Sequence, residues 1–171
     1  MTDPEHETPS FLSLLRRIRL SPEELAVFAR EDTAATLEKV RILSVTAVFV
    51  NSLALRRYGG RLGPTRGFGL VEQVIGAAFQ SFGGEDPHAG PYARAAMLLR
   101  GVTQGHPFND GNKRTGFLMA AAYLDLVRQS APSTLDIPTV VEFCVRVSAG
   151  DIRDVDAIED ALRGWWGADP R

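Results

Sequence analysis

Residues 112–128, NKRTGFLMAAAYLDLVR, constrain the fold most, because this stretch is typical of a helix with almost no polar face. Apolar residues occur on nearly every side of it, and a helix that is apolar all round is one that other helices bury. The rest of the chain must therefore supply the helices that cover it. Its 171 residues, 44% hydrophobic and 23% charged, suit one globular domain with a core of that kind.

Apolar residues at helical spacing, together with capping signals, predict the other elements. Ser21 and Glu24 form a capping-box pattern. The predicted helices run over about residues 22–31, 34–57, 70–79, 92–103, 112–128, 138–149 and 155–165. No strand pairs are evident, apart from a short hairpin near residues 79–86. We predict an all-α helical bundle in which that hairpin is a flap.

Composition narrows the class of protein and its location. The net charge of -2 gives no global basic field, so direct nucleic-acid binding is not expected. The single cysteine, Cys144, excludes an internal disulfide, and its apolar surroundings indicate a buried thiol. The polar residues 1–10 predict a flexible tail and not a secretory signal, and no apolar run is long enough for a membrane span. The expected location is cytoplasmic.

The most informative segment is residues 106–114, HPFNDGNKR, which precede and begin the apolar helix. The first N–H groups of a helix are free, and the helix dipole favours an anion there. Gly111 lets the backbone approach a ligand, so the N–H groups of residues 111–113 can form an anion nest. Arg114 adds a guanidinium fork that suits phosphate oxygens. Judged alone, each of these residues is more often an ordinary surface residue or a helix cap than a functional residue.

Two further side chains complete a set for phosphoryl chemistry. Asp110 supplies a hard oxygen, and Mg²⁺ is typically held by one or two carboxylates together with substrate phosphates. His106 can accept a proton near neutral pH from an attacking hydroxyl. The combination of base, metal ligand, phosphate cradle and charge stabiliser favours phosphoryl-group transfer from a nucleoside triphosphate.

The segment also matches H-P-F-x-D-G-N-x-R, the signature of the Fic/Doc family, at seven fixed positions. The run RYGG at residues 57–60, the helix after Leu70, the loop over 79–86 and the stretch HPFNDGNKRTG resemble the death-on-curing (Doc) branch. The resemblance extends over residues 42–166. We therefore divide the chain into an N-terminal extension, residues 1–40, and a Fic/Doc domain, residues 41–171.

This resemblance implies a compact helical bundle and a role for each matching residue. His106 would be the general base for a target Ser, Thr or Tyr hydroxyl, Asp110 would hold Mg²⁺, and Arg114 would bind phosphates and stabilise the transition state. Three residues would form the anion cradle: Gly111, Asn112 and Lys113. Five residues would form a flap that holds the target peptide by strand addition: Phe79, Ser81, Phe82, Gly83 and Gly84.

The resemblance leaves the transferred group open. Fic enzymes that transfer AMP usually carry Gly where this chain has Lys113, whereas the Doc branch carries Lys, transfers the terminal phosphate of ATP and acts on a translation elongation factor. Pro107 and Gly111, however, resemble the AMP-transferring branch. We favour kinase-type transfer, with protein adenylylation as the alternative. A catalytically silent nucleotide-binding or interaction module is a second alternative, although every catalytic position is filled.

The resemblance also concerns regulation. Some Fic proteins inhibit themselves with a helix bearing S/T-x-x-x-E followed by Gly or Asn, and no Glu of this chain is followed by either residue. Restraint is therefore expected from a separate partner. Doc proteins are toxins that a small antitoxin neutralises, so the hypothesis here is a toxin with an antitoxin in trans.

Overall fold

The computed structural model describes residues 17–128, 132 and 135–167. Within them the chain forms seven α-helices and one 3₁₀ turn, Ala77–Phe79. The helices are α1 Pro22–Phe28, α2 Thr33–Tyr58, α3 Phe68–Gly76, α4 Pro91–Gly105, α5 Asn112–Arg128, α6 Ile137–Ala149 and α7 Val155–Trp166. Pairing of strands is limited, in these residues, to two isolated bridges. The predicted all-α class is thus confirmed, while the tail predicted over residues 1–10 lies outside the described residues.

Helix ends follow the capping signals of the sequence. The Ser21 side chain accepts a hydrogen bond from the N–H of Glu24 at 3.2 Å, and the Glu24 carboxylate accepts one from the N–H of Ser21 at 2.7 Å. Asp32 caps α2 by accepting from the N–H of Ala35 at 2.9 Å. Because Asp32 needs an extended backbone to do so, α1 ends at Phe28 and does not continue to residue 31 as predicted.

The predicted helix over 70–79 is also corrected in its details. It begins at Phe68, and its last three residues form the 3₁₀ turn Ala77–Phe79. The tighter turn leads into a residue with extended backbone, Gln80. This change of direction directs the chain out of the bundle and begins the segment predicted as a flap.

The core is organised around α5, as its sequence predicts. Ten residues of α5 are buried, and α4 packs along it while α2 and α6 also contact it. A second, smaller cluster of Val27, Ala35 and Ile42 joins α1 to α2. No helix in the described residues has the length and apolar character needed to cross a membrane.

Helix α2 runs without a break across residue 40, where the predicted extension ends. Its N-terminal part contacts α1, and its C-terminal end, with Gly59 as the C-cap, reaches the loop between α4 and α5. The division into residues 1–40 and 41–171 stays a prediction. What matters for the site is that α2 brings its last turn to the start of α5.

Candidate active site

The segment predicted to carry the chemistry is the loop between α4 and α5, residues 106–111, here called the motif loop. Its first residue, His106, has φ 45° and ψ 53°, and it is the one non-glycine residue with positive φ in the described part of the chain. This left-handed conformation costs a non-glycine residue about 1 kcal/mol. Because the fold imposes that conformation on an exposed histidine, the position has the strained backbone typical of functional residues.

The motif loop is fixed by backbone pairing with residues 62–65. The N–H of Thr65 donates to the carbonyl of Pro107 at 2.8 Å, and the N–H of Asn109 donates to the carbonyl of Gly63 at 3.1 Å. The Asn109 side-chain amide also donates to the Leu62 and Gly63 carbonyls, at 3.1 Å each. Residues 62–65 and the motif loop are thus joined into one hydrogen-bonded unit that carries His106.

Asn112 clamps the motif loop from the other side. Its Oδ1 accepts from the Phe108 N–H at 3.0 Å, and its Nδ2 donates to the Phe108 carbonyl at 2.8 Å. Phe108 itself is 1% exposed, so it anchors the loop in the core. These two bonds hold the side chain of buried Asn112 against the motif loop.

Asp110 is held in place through its backbone and through one carboxylate oxygen. Its carbonyl accepts from Asn51 Nδ2 at 2.8 Å, and its Oδ2 accepts from the N–H of Arg61 at 2.7 Å. Its other oxygen has no hydrogen-bond partner within the residues described and is exposed, so it can bind a cation. No cluster of three or more metal-binding side chains occurs in this same part of the chain. A cation at Asp110 would therefore need phosphate oxygens for most of its ligands.

The N–H groups of residues 111–114 form the start of α5. None of them donates to a protein acceptor in the described residues, since the first helical bond runs from the N–H of Thr115 to the carbonyl of Gly111 at 2.9 Å. Gly111 has φ 77°, and a Cβ there would lie 3.2 Å from both Asn51 Nδ2 and Leu55 Cδ2. Only glycine fits this turn without strain. The four free N–H groups and the helix dipole make this end of α5 suitable for phosphate.

Two cations, Lys113 and Arg114, belong to the first turn of α5. The guanidinium carbon of Arg114 lies 4.3 Å from the centre of the Tyr58 ring, at the end of α2. Lys113 supplies the second positive charge: burial raises the pKa of the Cys144 thiol, on α6, to about 12, and the charge of Lys113 opposes this effect. Both cations are exposed at the site, where they can meet an anion held at the helix start.

Known proteins resemble this chain over the region that builds the site. Residues 42–124 match the family model described as Fic/DOC family. The chain is 27% identical over 111 residues to Toxin Doc of Mycolicibacterium smegmatis, and the aligned region covers 65% of this chain and 84% of that protein. It is 30% identical over 114 residues to Protein kinase doc of Escherichia phage P1, and the aligned region covers 67% of this chain and 86% of that protein.

The chain belongs to the Fic/DOC family. Both relatives are Doc proteins by name, which places it in the Doc branch. The family motif, the paired loop next to it and the start of α5 therefore form one candidate site in this Fic/DOC chain. The roles predicted for the individual residues of this site stay predictions.

The predicted flap, residues 79–86, folds as a minimal hairpin. The N–H of Phe82 donates to the Glu85 carbonyl at 2.8 Å, and the N–H of Glu85 donates to the Phe82 carbonyl at 3.0 Å. Gly83 and Gly84, with φ 61° and 85°, form the two-residue turn, which has the positive φ angles of a type I′ hairpin. Ser81 and Phe82 are exposed, with Phe82 at 68%. These four residues are accessible to a target.

Phe79 differs from the other predicted flap residues, because it is only 8% exposed. Its ring packs edge-on against Tyr123 with centroids 6.0 Å apart, and Arg94 lies over it at 5.1 Å. Arg94 also forms an ion pair with Asp86. Phe79 and the ion pair thus anchor the two ends of the flap, and the contact surface for a target is left to residues 81–84.

Sequence reasoning missed Asn51, which is 2% exposed within α2. Its Nδ2 donates both to the Asp110 carbonyl at 2.8 Å and to Thr115 Oγ1 at 3.1 Å, so it joins α2 to the motif loop and to α5. The signal for it was a polar amide in the apolar centre of a helix, since a buried amide requires partners. Its partners are 59 and 64 residues away and cannot be found from local patterns.

Proposed function

We propose that this chain is a toxin-type protein kinase that transfers the γ-phosphate of ATP, with Mg²⁺, to a hydroxyl of a target protein. Family membership and the relative named Protein kinase doc support a transferase that acts on proteins. By family resemblance the target is a translation elongation factor. The observation that carries the proposal is the set of free N–H groups at the start of α5, adjoining His106 and Asp110 in one fixed loop.

Each group of the motif loop and of the start of α5 has its own role in an in-line transfer. The N–H groups of residues 111–114 and the Arg114 guanidinium bind phosphate oxygens and offset the negative charge that develops on them. Asp110 would hold Mg²⁺, which supplies charge neutralisation across the phosphates when it is bound. His106 accepts the proton of the target hydroxyl. The hydroxyl oxygen forms a bond to the γ-phosphorus, the bond from that phosphorus to the bridging oxygen breaks, and ADP leaves.

The hairpin of residues 81–84 would hold the target beside this site. A short hairpin with an open edge can bind an extended peptide through main-chain hydrogen bonds. Such binding reads the backbone of the target more than its side chains. It would present a Ser, Thr or Tyr hydroxyl to His106 without requiring a deep pocket.

The toxin part of the proposal rests on the relative named Toxin Doc. A toxic kinase would act in the cytoplasm of a bacterium and would be restrained by a small antitoxin that binds it in trans. Expression of the chain alone should then slow growth and translation, whereas expression of His106→Ala should not. Equal growth of both cultures, with both proteins present at similar levels, would contradict the toxin part.

Protein adenylylation is the second candidate, and Pro107 and Gly111 favour it because both resemble AMP-transferring Fic enzymes. Lys113 favours the kinase, since a side chain at this position restricts how the nucleotide can lie. The two candidates differ in which phosphorus is attacked. They are therefore distinguished by the position of a label on ATP.

The deciding experiment incubates the purified chain with bacterial extract, Mg²⁺ and ATP labelled at either the α- or the γ-phosphate. We expect a protein band labelled from the γ-phosphate only and absent with His106→Ala. Label from the α-phosphate would establish adenylylation instead. No His106-dependent band from either label, in an extract supplemented with purified elongation factor, would favour the silent binding module.

A matched variant separates the chemistry of His106 from its backbone conformation. Asn adopts the left-handed region more readily than most residues, so His106→Asn should keep the motif loop in place while removing the base. We expect both His106 variants to lose transfer and to keep the affinity for ATP. Substantial transfer by His106→Asn would show that the histidine is not the base.

A further inference from the structure

Two arginines share one tyrosine ring beside the site. The guanidinium carbon of Arg114 lies 4.3 Å from the centre of the Tyr58 ring, and that of Arg57 lies 5.2 Å from the same centre. Tyr58 is 54% exposed and is the last residue of α2. The ring of this half-exposed residue therefore contacts two positive groups, and cation–π attraction favours each of them.

Among the described residues, neither arginine forms an ion pair with a carboxylate. The ion pairs between two described residues involve Arg30, Arg94 and Arg163. Arg57 Nε is moreover buried and makes no hydrogen bond within that part of the chain. Two cations on one ring raise the positive potential at each other. An anion that meets the terminal N–H groups of both guanidiniums would offset this potential.

The end of α2 adjoins the motif loop directly. The Arg61 N–H donates to Asp110 Oδ2 at 2.7 Å, and a Cβ added to Gly60 would lie 3.0 Å from the Asp110 Cβ. Residues 57–61 therefore form one side of the site. Arg114 is the third residue of α5, and it contacts the same Tyr58 ring as Arg57. An anion that reaches from the free N–H groups to Arg114 therefore also comes near Arg57.

We propose that Arg57 is a second phosphate-binding arginine, which Tyr58 holds beside Arg114. The two guanidiniums and the N–H groups at the start of α5 together bind the phosphate chain of the nucleotide. Tyr58 is the positioning residue for both. Only the identity of the phosphate compound rests on the proposed function, because the pair itself is a site for any polyphosphate.

A different role for Arg57 is stabilisation of the C-terminal end of α2 by its charge. Arg56 provides a matched control, because it lies in the same last turn, carries the same charge and is exposed, without a contact to the Tyr58 ring. A pure dipole effect would be similar for both arginines. A phosphate-binding role belongs to Arg57 alone.

The test measures binding of inorganic tripolyphosphate and, separately, of Mg·ATP to the full chain by calorimetry. Because a hydrogen bond to a charged group is lost, Arg57→Gln and Arg114→Gln should each raise Kd about tenfold, and Arg56→Gln less than about twofold. Tyr58→Phe should bind like the wild type, since it keeps the ring, whereas Tyr58→Leu should raise Kd about threefold. Equal Kd values for Arg57→Gln and Arg56→Gln would overturn the proposal.

Arg57→Lys keeps the charge but removes the fork, and it replaces Arg57→Gln as the test if the latter does not fold by circular dichroism. We expect Arg57→Lys to raise Kd about threefold. Failure of the kinase proposal is distinguishable, because it would leave tripolyphosphate binding and its dependence on Arg57 intact. A wild-type chain that binds neither tripolyphosphate nor Mg·ATP would overturn this proposal outright.

Discussion

The motif loop, residues 106–111, and the flap, residues 79–86, border the same helix bundle but are held in opposite ways. The motif loop is fixed along its length: residues 62–65 pair with its backbone, Asn112 clamps Phe108, and Asn51 holds Asp110. The flap is fixed only at its ends, by Phe79 in the core and by the Arg94–Asp86 ion pair. Between these anchors its residues are exposed.

Under the proposed function, the contrast would correspond to two different tasks. Phosphoryl transfer depends on groups that are already in place when charge develops, so the loop that carries His106 and Asp110 must be preorganised. Capture of a protein segment through backbone pairing needs an open edge, which a fully packed loop cannot offer. Disrupting each region should therefore change a different measured quantity.

The largest effect is expected from Asn112→Leu. This change leaves the N–H and the carbonyl of buried Phe108 without partners, which should lower the free energy of unfolding by about 3 kcal/mol. The motif loop should lose its fixed geometry, and γ-phosphate transfer should fall by about a hundredfold or more. Urea unfolding and the label-transfer assay measure these two outcomes.

Asn109→Ala is the matched control for Asn112→Leu, because Asn109 also bonds to main-chain carbonyls but is only half-buried. We expect it to cost about 1 kcal/mol and to reduce transfer less. If both variants lost the same stability and activity, the Asn112 clamp would not be what fixes the motif loop.

An intermediate effect is expected from Asp86→Asn, which weakens the anchor of the flap. Burial by itself raises the pKa of Asp86, but the hydrogen bonds from Arg94 and from the His88 N–H outweigh it and keep the pKa below its ordinary value. The ion pair is largely buried, with side-chain exposures of 16% for Arg94 and 25% for Asp86. Its loss should lower the free energy of unfolding by about 1 kcal/mol near neutral pH.

The effect of Asp86 should depend on pH with a defined sign. A carboxyl whose pKa is depressed by folding contributes stability that is present above its unfolded pKa of about 4 and is lost as the pH falls through its folded pKa. The difference between the wild type and Asp86→Asn should thus shrink on acidification. Urea unfolding at a series of pH values tests this, with Glu85→Gln as a control of equal charge change. A difference that grows in acid would refute the ion-pair account.

Local patterns predicted the helices well, because caps and apolar spacing act over a few residues. Helix α5 has the predicted bounds, and the Ser21 capping box is confirmed. The motif residues were predicted from the chemistry of a nine-residue segment and its resemblance to the Fic/Doc signature, and their roles stay predictions. What the sequence did not reveal is long-range, namely the contacts of Asn51 with Asp110 and the pairing of Thr65 with Pro107. Such contacts depend on how helices pack, which no short segment encodes.

The smallest effect on stability, and the sharpest test of the flap, is expected from Phe82→Ala. Phe82 is 68% exposed, so its removal should change the free energy of unfolding by less than about 0.5 kcal/mol. If the flap holds the target, KM for the target protein should rise about threefold while the affinity for ATP stays unchanged.

Leu37→Ala is the control for Phe82→Ala, since Leu37 is 69% exposed near the N-terminal end of α2, and the site lies beyond the C-terminal end of that helix. Truncation there should change neither stability nor KM. A rise in KM for Phe82→Ala alone would assign target binding to the flap and leave phosphate binding to the motif loop. If both variants behaved like the wild type, the exposed tip of the hairpin would not contact the target. Target binding would then have to be sought along the backbone of residues 81–84 or on the surface of residues 57–66.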